Sequence, residues 1–194
     1  MAKAYLIGGA PRVGKSNLTM RLLQHTPAYA TSTDALTDIL RHVIDKSDVP
    51  DLFHKNNGES AQESVQWQIK ENRIVWSAAV DFIQRNLKNG FDVIVEGLCV
   101  MPELVKNLEA DYTAVFLGNQ SDAHFETIKT FAKNNPADWL NDHSDEVVHE
   151  ICLFNQAYSG FIQKEAQQHG LPYVEVSDTS YRASIDTAFD ILVA

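Results

Sequence analysis

Between residues 9 and 16 the chain reads GAPRVGKS, and these eight residues constrain the fold more tightly than any other stretch. They fit G-x-x-x-x-G-K-[ST] at every fixed position. An apolar run, AYLIGG, precedes them, and a segment of helical period, Ser16 to His25, follows. A strand, a glycine-bearing turn and a helix in that order make backbone N–H groups converge, and the positive end of the helix lies at the same point. A nucleotide phosphate is what such a point holds. Lys15 then reaches the β- and γ-phosphates and Ser16 ligates Mg²⁺, while Gly9, Ala10, Pro11, Arg12, Val13, Gly14 and Asn17 complete the nucleotide site. Arg12, in the variable part of the loop, has two readings, a phosphate contact or a solvated side chain.

The rest of the chain alternates apolar runs with helix-period segments, the pattern of an α/β fold. Strands are expected over 28–31, in FDVIVEG, in YTAVFLG and in PYVEVS. FDVIVEG is apolar almost throughout, as in a strand buried on both faces of a parallel sheet. A long helix is expected from about Ser60 to Leu87, where Trp76, Val80, Ile83 and Leu87 form one stripe and Asn89-Gly90 stops it. Further helices are expected to about Ile44, after Pro102, over 122–133, over 144–169 before Gly170, and over 183–192. The expectation is a three-layer α/β sandwich with a five-stranded, mainly parallel sheet and helices on both faces, in one domain spanning 1–194.

Sixteen Lys and Arg stand against 26 Asp and Glu, a net charge of −10, with no basic cluster. This speaks against a nucleic-acid partner and against an anionic membrane surface. No apolar run nears the roughly 18 residues of a membrane span, and MAKAYLIGG is short for a secretory signal. Cys99 and Cys152 are far apart and fit free thiols in a reducing cytoplasm. His124, His143 and His149 have no metal-ligand spacing, and Trp67 and Trp139 read as packing residues.

Three blocks, IGGAPRVGKS, YATSTDALTDILR and VIVEGLCVMP, together resemble the small P-loop kinases of the nucleoside/nucleotide-kinase-like group, above all the 2-phosphoglycerate-kinase-like and zeta-toxin-like proteins. The resemblance covers roughly the first 105 residues. It implies ATP and Mg²⁺ as cofactors and a small acceptor bearing a hydroxyl or phosphate. It also implies that Asp34 faces the acceptor hydroxyl, as general base or anchor, and that Glu96 is the acid at the strand end that orients Mg²⁺. Arg41, on the same face as Asp34, would clamp a substrate phosphate or carboxylate, with a solvated helix face as its other reading, and Gly97 leaves room for a ligand. Asp34 has a second reading as a helix N-cap, and Glu96 as a strand-end carboxylate paired with a lysine. In such kinases the loop after the last strand packs near the base, so Arg182 either stacks on adenine or lies on the surface.

The resemblance also implies a lid, over about 119–150, and an acceptor-binding insertion over about 45–75, where Lys55, Asn56, Asn57, Gln66 and Lys70 are candidate contacts. Kinase lids supply arginines, and this segment has none; Lys129 and Lys133 are its strong cations, either substrate contacts or a solvated helix face. Asn119-Gln120-Ser121-Asp122 imitates a guanine-reading N-K-x-D, but only about twenty residues separate it from Glu96. A helix start capped by Ser121 or Asp122 is the better reading. Phosphoryl transfer to a small metabolite is therefore the leading expectation. A nucleotide-binding ATPase or regulator without an acceptor, and a zeta-toxin-like nucleotide-sugar kinase, are the alternatives.

Overall fold

The computed structural model describes residues 2–54 and 58–194; Lys55, Asn56 and Asn57 lie outside the described residues. The described residues form a five-stranded sheet in the order β2-β3-β1-β4-β5, with every neighbouring pair parallel. The strands are β1 (Ala4–Gly9), β2 (Tyr29–Ser32), β3 (Val93–Gly97), β4 (Tyr112–Gly118) and β5 (Tyr173–Glu175). Between them run α1 (Lys15–His25), α2 (Thr33–Val43), α3 (Ala61–Lys88), α4 (Pro102–Lys106), α5 (His124–Lys133) and α6 (Asp145–His169), and α7 (Tyr181–Val193) follows β5. Short 3₁₀ turns cover Pro50–Phe53 and Trp139–Asp142.

The central strands are buried because helices cover both faces. Leu6, Ile7, Val93, Ile94, Val95, Val115 and Phe116 are all inaccessible to solvent, as the unbroken apolar runs require of a parallel sheet. The edge strand β2 stays half open. On α3 the apolar stripe meets this core through Trp76 and Ile83, and Ser60 and Glu63 form a reciprocal capping box at the N-terminus. Gly170 closes α6 in the left-handed conformation. Two smaller apolar clusters stand apart from the main core. One joins Ile128 and Ala132 of α5 to Leu140 and to Val148 and Cys152 of α6; the other gathers Leu52, Val75 and Cys99.

Register fixes the functional edge. Glu96 lies opposite Ile7 on one side and Ser32 on the other. The turn after β1, the acid at the end of β3 and the start of α2 therefore emerge side by side at the carboxyl end of the sheet, where α/β folds bind ligands.

Two helix starts differ from expectation by two residues: α7 begins at Tyr181, ahead of 183, and α5 begins late. Helix α5 begins at His124 and has no side-chain cap. Instead Asn119 Oδ1 accepts from the Ser121 amide (2.9 Å), Ser121 Oγ accepts from the Ala123 amide (3.1 Å), and Asn119 Nδ2 reaches His124 Nδ1 (2.9 Å) and Asp178 Oδ1 (3.0 Å). The side chains that could have capped form successive local turns, which compete with helix and move its start two residues on.

Candidate active site

The loop between β1 and α1 carries its glycines where backbone geometry demands them. Gly14 precedes the helix at φ 95°, and a Cβ there would fall 2.4 Å from the Tyr181 hydroxyl. Arg12 holds φ 64° despite its side chain, a strained conformation for a bulky residue. Its guanidinium makes two hydrogen bonds to the Asp138 carboxylate, at 2.6 and 2.8 Å, and lies 5.1 Å over the Trp139 ring. Neither sequence reading of Arg12 anticipates this: the side chain straps the β1–α1 loop to the 119–150 segment. Asp138 also accepts from the Leu140 amide at 3.0 Å. The Arg12 hydrogen bonds, more than any other contact, hold its carboxyl below the usual range.

Lys15 is buried, and its ammonium donates to the Ala10 carbonyl at 2.6 Å. Burial lowers its pKa, against the opposing pull of Glu96 and then Asp34. Both carboxylates are thus close enough for the Lys15 charge to feel them. Ser16 Oγ donates to Glu96 Oε1 at 3.0 Å, which sets two hard oxygen ligands side by side at the mouth of the loop. Asn17 Nδ2 donates to the Tyr181 hydroxyl at 2.7 Å, so the start of α7 closes over the loop. Arg182, the next residue, is exposed.

Asp34 sits in the first turn of α2, and the cap of that helix is Ser32, whose Oγ accepts from the Ala35 amide at 3.1 Å. Capping therefore leaves the Asp34 carboxylate uncommitted. Beneath it, buried Thr33 fills the space that Gly97 leaves. At φ 139°, a Cβ on Gly97 would come 2.0 Å from Thr33 Oγ1. The room that the sequence assigns to a ligand beside Gly97 is taken by Thr33.

Asp34 also lines a cleft of about 760 Å³. One wall comes from α2 through Thr37, Asp38 and Arg41, and a second from the start of α3 through Trp67, Gln68 and Glu71. Opposite, α6 contributes Val147, Glu150, Ile151 and Phe154, and Leu98 and Cys99 close the floor. Arg41 is on the face expected of it, yet two of its donors are engaged, Nε by the Leu52 carbonyl and Nη2 by Glu71, both at 2.8 Å. Desolvation raises the Glu71 pKa, and Arg41 opposes that rise. His54 stacks on Trp67 with 4.0 Å between ring centres.

A buried network supports the floor. Asn72 accepts from Gln68 and from Cys99 Sγ, and donates to the Leu98 carbonyl and to the Tyr158 hydroxyl, which itself donates to Leu98 at 2.7 Å. Burial pushes the Cys99 thiol up to about 12, so it is a protonated donor here and not a nucleophile.

Not every sequence-derived residue gathers at this edge. Lys129 is paired with Asp145 at 2.7 Å and lies over the Phe125 ring, and neither Lys129 nor Lys133 is among the residues lining the cleft. Gln66 and Lys70 are exposed on α3, with the Lys70 ammonium 3.8 Å over Trp67. Sequence reasoning passed over Thr33, Glu71, Asp138 and Tyr181. Thr33 and Tyr181 left a signal only as neighbours of Asp34 and Arg182; Asp138 meets Arg12 across 126 residues of sequence.

No family model matches the chain. It is 22% identical over 185 residues to the 2-phosphoglycerate kinase of Thermococcus kodakarensis, covering 88% of this chain and 60% of that protein. Against the 2-phosphoglycerate kinase of Pyrococcus horikoshii it is 24% identical over 186 residues, covering 88% and 58%. The chain spans about three fifths of the length of these curated relatives. A sugar kinase from Janibacter sp. HTCC2649, solved without ligand, superposes with a TM-score of 0.53 over 98% of this chain and 96% of that one, at 12% identity. The chain is thus weakly homologous to 2-phosphoglycerate kinases and has the α/β fold of P-loop kinases.

Proposed function

We propose that this chain is an ATP-dependent phosphotransferase whose acceptor is a small hydroxyl-bearing molecule. The observation that carries the reading is the position of Asp34. It lines the acceptor-sized cleft, and it stands two residues after Ser32, whose register partner on β3 is Glu96, the residue that Ser16 of the loop hydrogen-bonds. It is the one carboxylate here common to both halves of a transfer site. The weak homology to kinases supports the same reaction class.

In this reading the acceptor oxygen bonds to the γ-phosphorus as the bond from that phosphorus to the β-phosphate oxygen breaks, and ADP departs. Asp34 takes the proton of the acceptor hydroxyl. Lys15 turns from the Ala10 carbonyl to the phosphates, whose charge restores the solvation that burial removes. Ser16 Oγ and Glu96 suit Mg²⁺, which prefers hard oxygen ligands, as their 3.0 Å approach allows. Magnesium, when bound, neutralises phosphate charge. Arg182 is assigned to the base, and Arg12 to the phosphates once it leaves Asp138. Two buried free thiols, Cys99 and Cys152, are consistent with a cytoplasmic setting; no helix among the described residues is long and apolar enough to cross a membrane.

The test is ADP release from Mg·ATP with and without pooled hydroxylated metabolites, beside Asp34→Asn. Acceptor-dependent release should fall by about a hundredfold in the variant with ATP affinity kept. Release indifferent to every acceptor would favour an ATPase or nucleotide-binding regulator instead.

A further inference from the structure

The charge balance of the cleft bears on what enters it. Its lining includes five carboxylates, Asp34, Asp38, Glu59, Glu71 and Glu150, against one arginine, Arg41, and one histidine, His54, whose Nε2 lies 3.2 Å from Glu59 Oε1. Glu71 already pairs with that arginine, whose Nε is turned to the Leu52 carbonyl. Lys70, exposed on α3 with its ammonium over the Trp67 ring, and Lys15, whose charge Asp34 favours, still leave the described cations fewer than the acids. The remaining surface is apolar and aromatic, formed by Ile151, Phe154, Leu98 and the Trp67 ring stacked on His54.

Building on the phosphotransferase reading above, we propose that the acceptor carries no negative charge and is a neutral or amine-bearing polyhydroxyl compound. A phosphorylated carboxylic acid is the wrong chemistry for this cleft. It would need bidentate cationic donors, whereas among the described lining residues the one guanidinium is engaged by a carbonyl and a carboxylate. It would also bring anionic groups beside Asp34, which must be ionised to accept the hydroxyl proton; a like charge nearby favours the protonated form. Carboxylates instead accept hydrogen bonds from hydroxyls and ammonium groups, and the apolar wall of α6 suits the carbon face of a ring. The cleft volume of about 760 Å³ is ample for a sugar or a nucleoside. Substrate selection here differs from what the names of the curated relatives say of those proteins.

Acceptor-dependent ADP release by the full chain with Mg·ATP tests this. One arm offers 2-phosphoglycerate; the other offers pooled unphosphorylated sugars, amino sugars, amino alcohols and nucleosides, later split into single compounds. Release with the second arm and a kcat/KM at least tenfold above that for 2-phosphoglycerate is expected. In the double variant Asp38→Asn, Glu150→Gln the gap should narrow severalfold, through a higher KM for an amine-bearing acceptor, with the KM for ATP unchanged. A kcat/KM for 2-phosphoglycerate equal to or above that of every uncharged or cationic compound overturns the inference and leaves the kinase reading standing. No stimulation in either arm overturns the kinase reading, and this inference with it.

Discussion

The loop between β1 and α1 and the cleft that Asp34 lines are put together in opposite ways. The loop is eight consecutive residues whose N–H groups, glycines and lysine lie within one strand-turn-helix unit. The cleft draws its walls from α2, α3, α6 and the turn after β3, segments spread over more than a hundred residues. Each region also has an arginine that a kinase could aim at phosphate, and each arginine is held by a carboxylate from elsewhere, Arg12 by Asp138 and Arg41 by Glu71. The lesson is that local backbone design is self-contained, whereas the charge available to a ligand depends on partners recruited through the tertiary fold.

The largest effect should come from the loop itself. Replacing Lys15 with alanine removes the charge nearest the phosphates, and nucleotide affinity should fall by about a hundredfold, the weight of a charge-assisted contact. Calorimetric titration with ATP would read it, and unchanged affinity would take the loop out of the site. Next, Gly97→Ala drives a Cβ into Thr33 under Asp34 at a strained φ. It should cost about 2–3 kcal/mol in urea unfolding, so near-neutral behaviour would mean that α2 shifts freely and is not a rigid mount for Asp34.

The strap between the two regions should matter less. Asp138→Asn keeps an oxygen for the Leu140 amide but removes the charge facing Arg12, and should lower stability by about 1–2 kcal/mol, or a few degrees in Tm. The difference has a definite pH dependence. Asp138 has a lowered carboxyl pKa in the fold, so its contribution is complete above the unfolded value near 3.8 and fades as pH drops through the lower folded value. Wild type and variant should therefore differ by a constant amount at neutral pH and converge in strong acid. The smallest effect concerns Lys15. Because burial depresses its pKa, nucleotide affinity should weaken as pH rises at values below the ordinary 10.5, with proton uptake on binding in that window. Affinity flat up to pH 10.5 would show that Lys15 stays charged without help from a ligand.

Much of the architecture was legible in the chain because it is written in local periodicity. β3 and β4 read as buried apolar runs, α3 as a 28-residue amphipathic helix with its stop at Asn89, and α6 as a helix ended by Gly170. Helix α5 was misjudged at its start because Asn119 and Ser121 satisfy nearby amides through turns, a competition that composition alone does not resolve. Within the site, Lys15, Ser16 and Glu96 could be placed by motif, and their mutual geometry followed from parallel register.

What the sequence by itself determined was the glycine-bearing turn between β1 and α1, the parallel sheet that presents it and the type of nearly every element. These depend on φ preferences, on glycine and on the period of apolar residues, all of which act between near neighbours. Only the tertiary structure decided that Arg12 straps the loop to Asp138, that Thr33 fills the space beside Gly97, that Tyr181 covers Asn17, and that Arg41 faces the cleft already paired with Glu71. Those contacts join residues tens to more than a hundred positions apart, and burial rather than local propensity sets which charges meet.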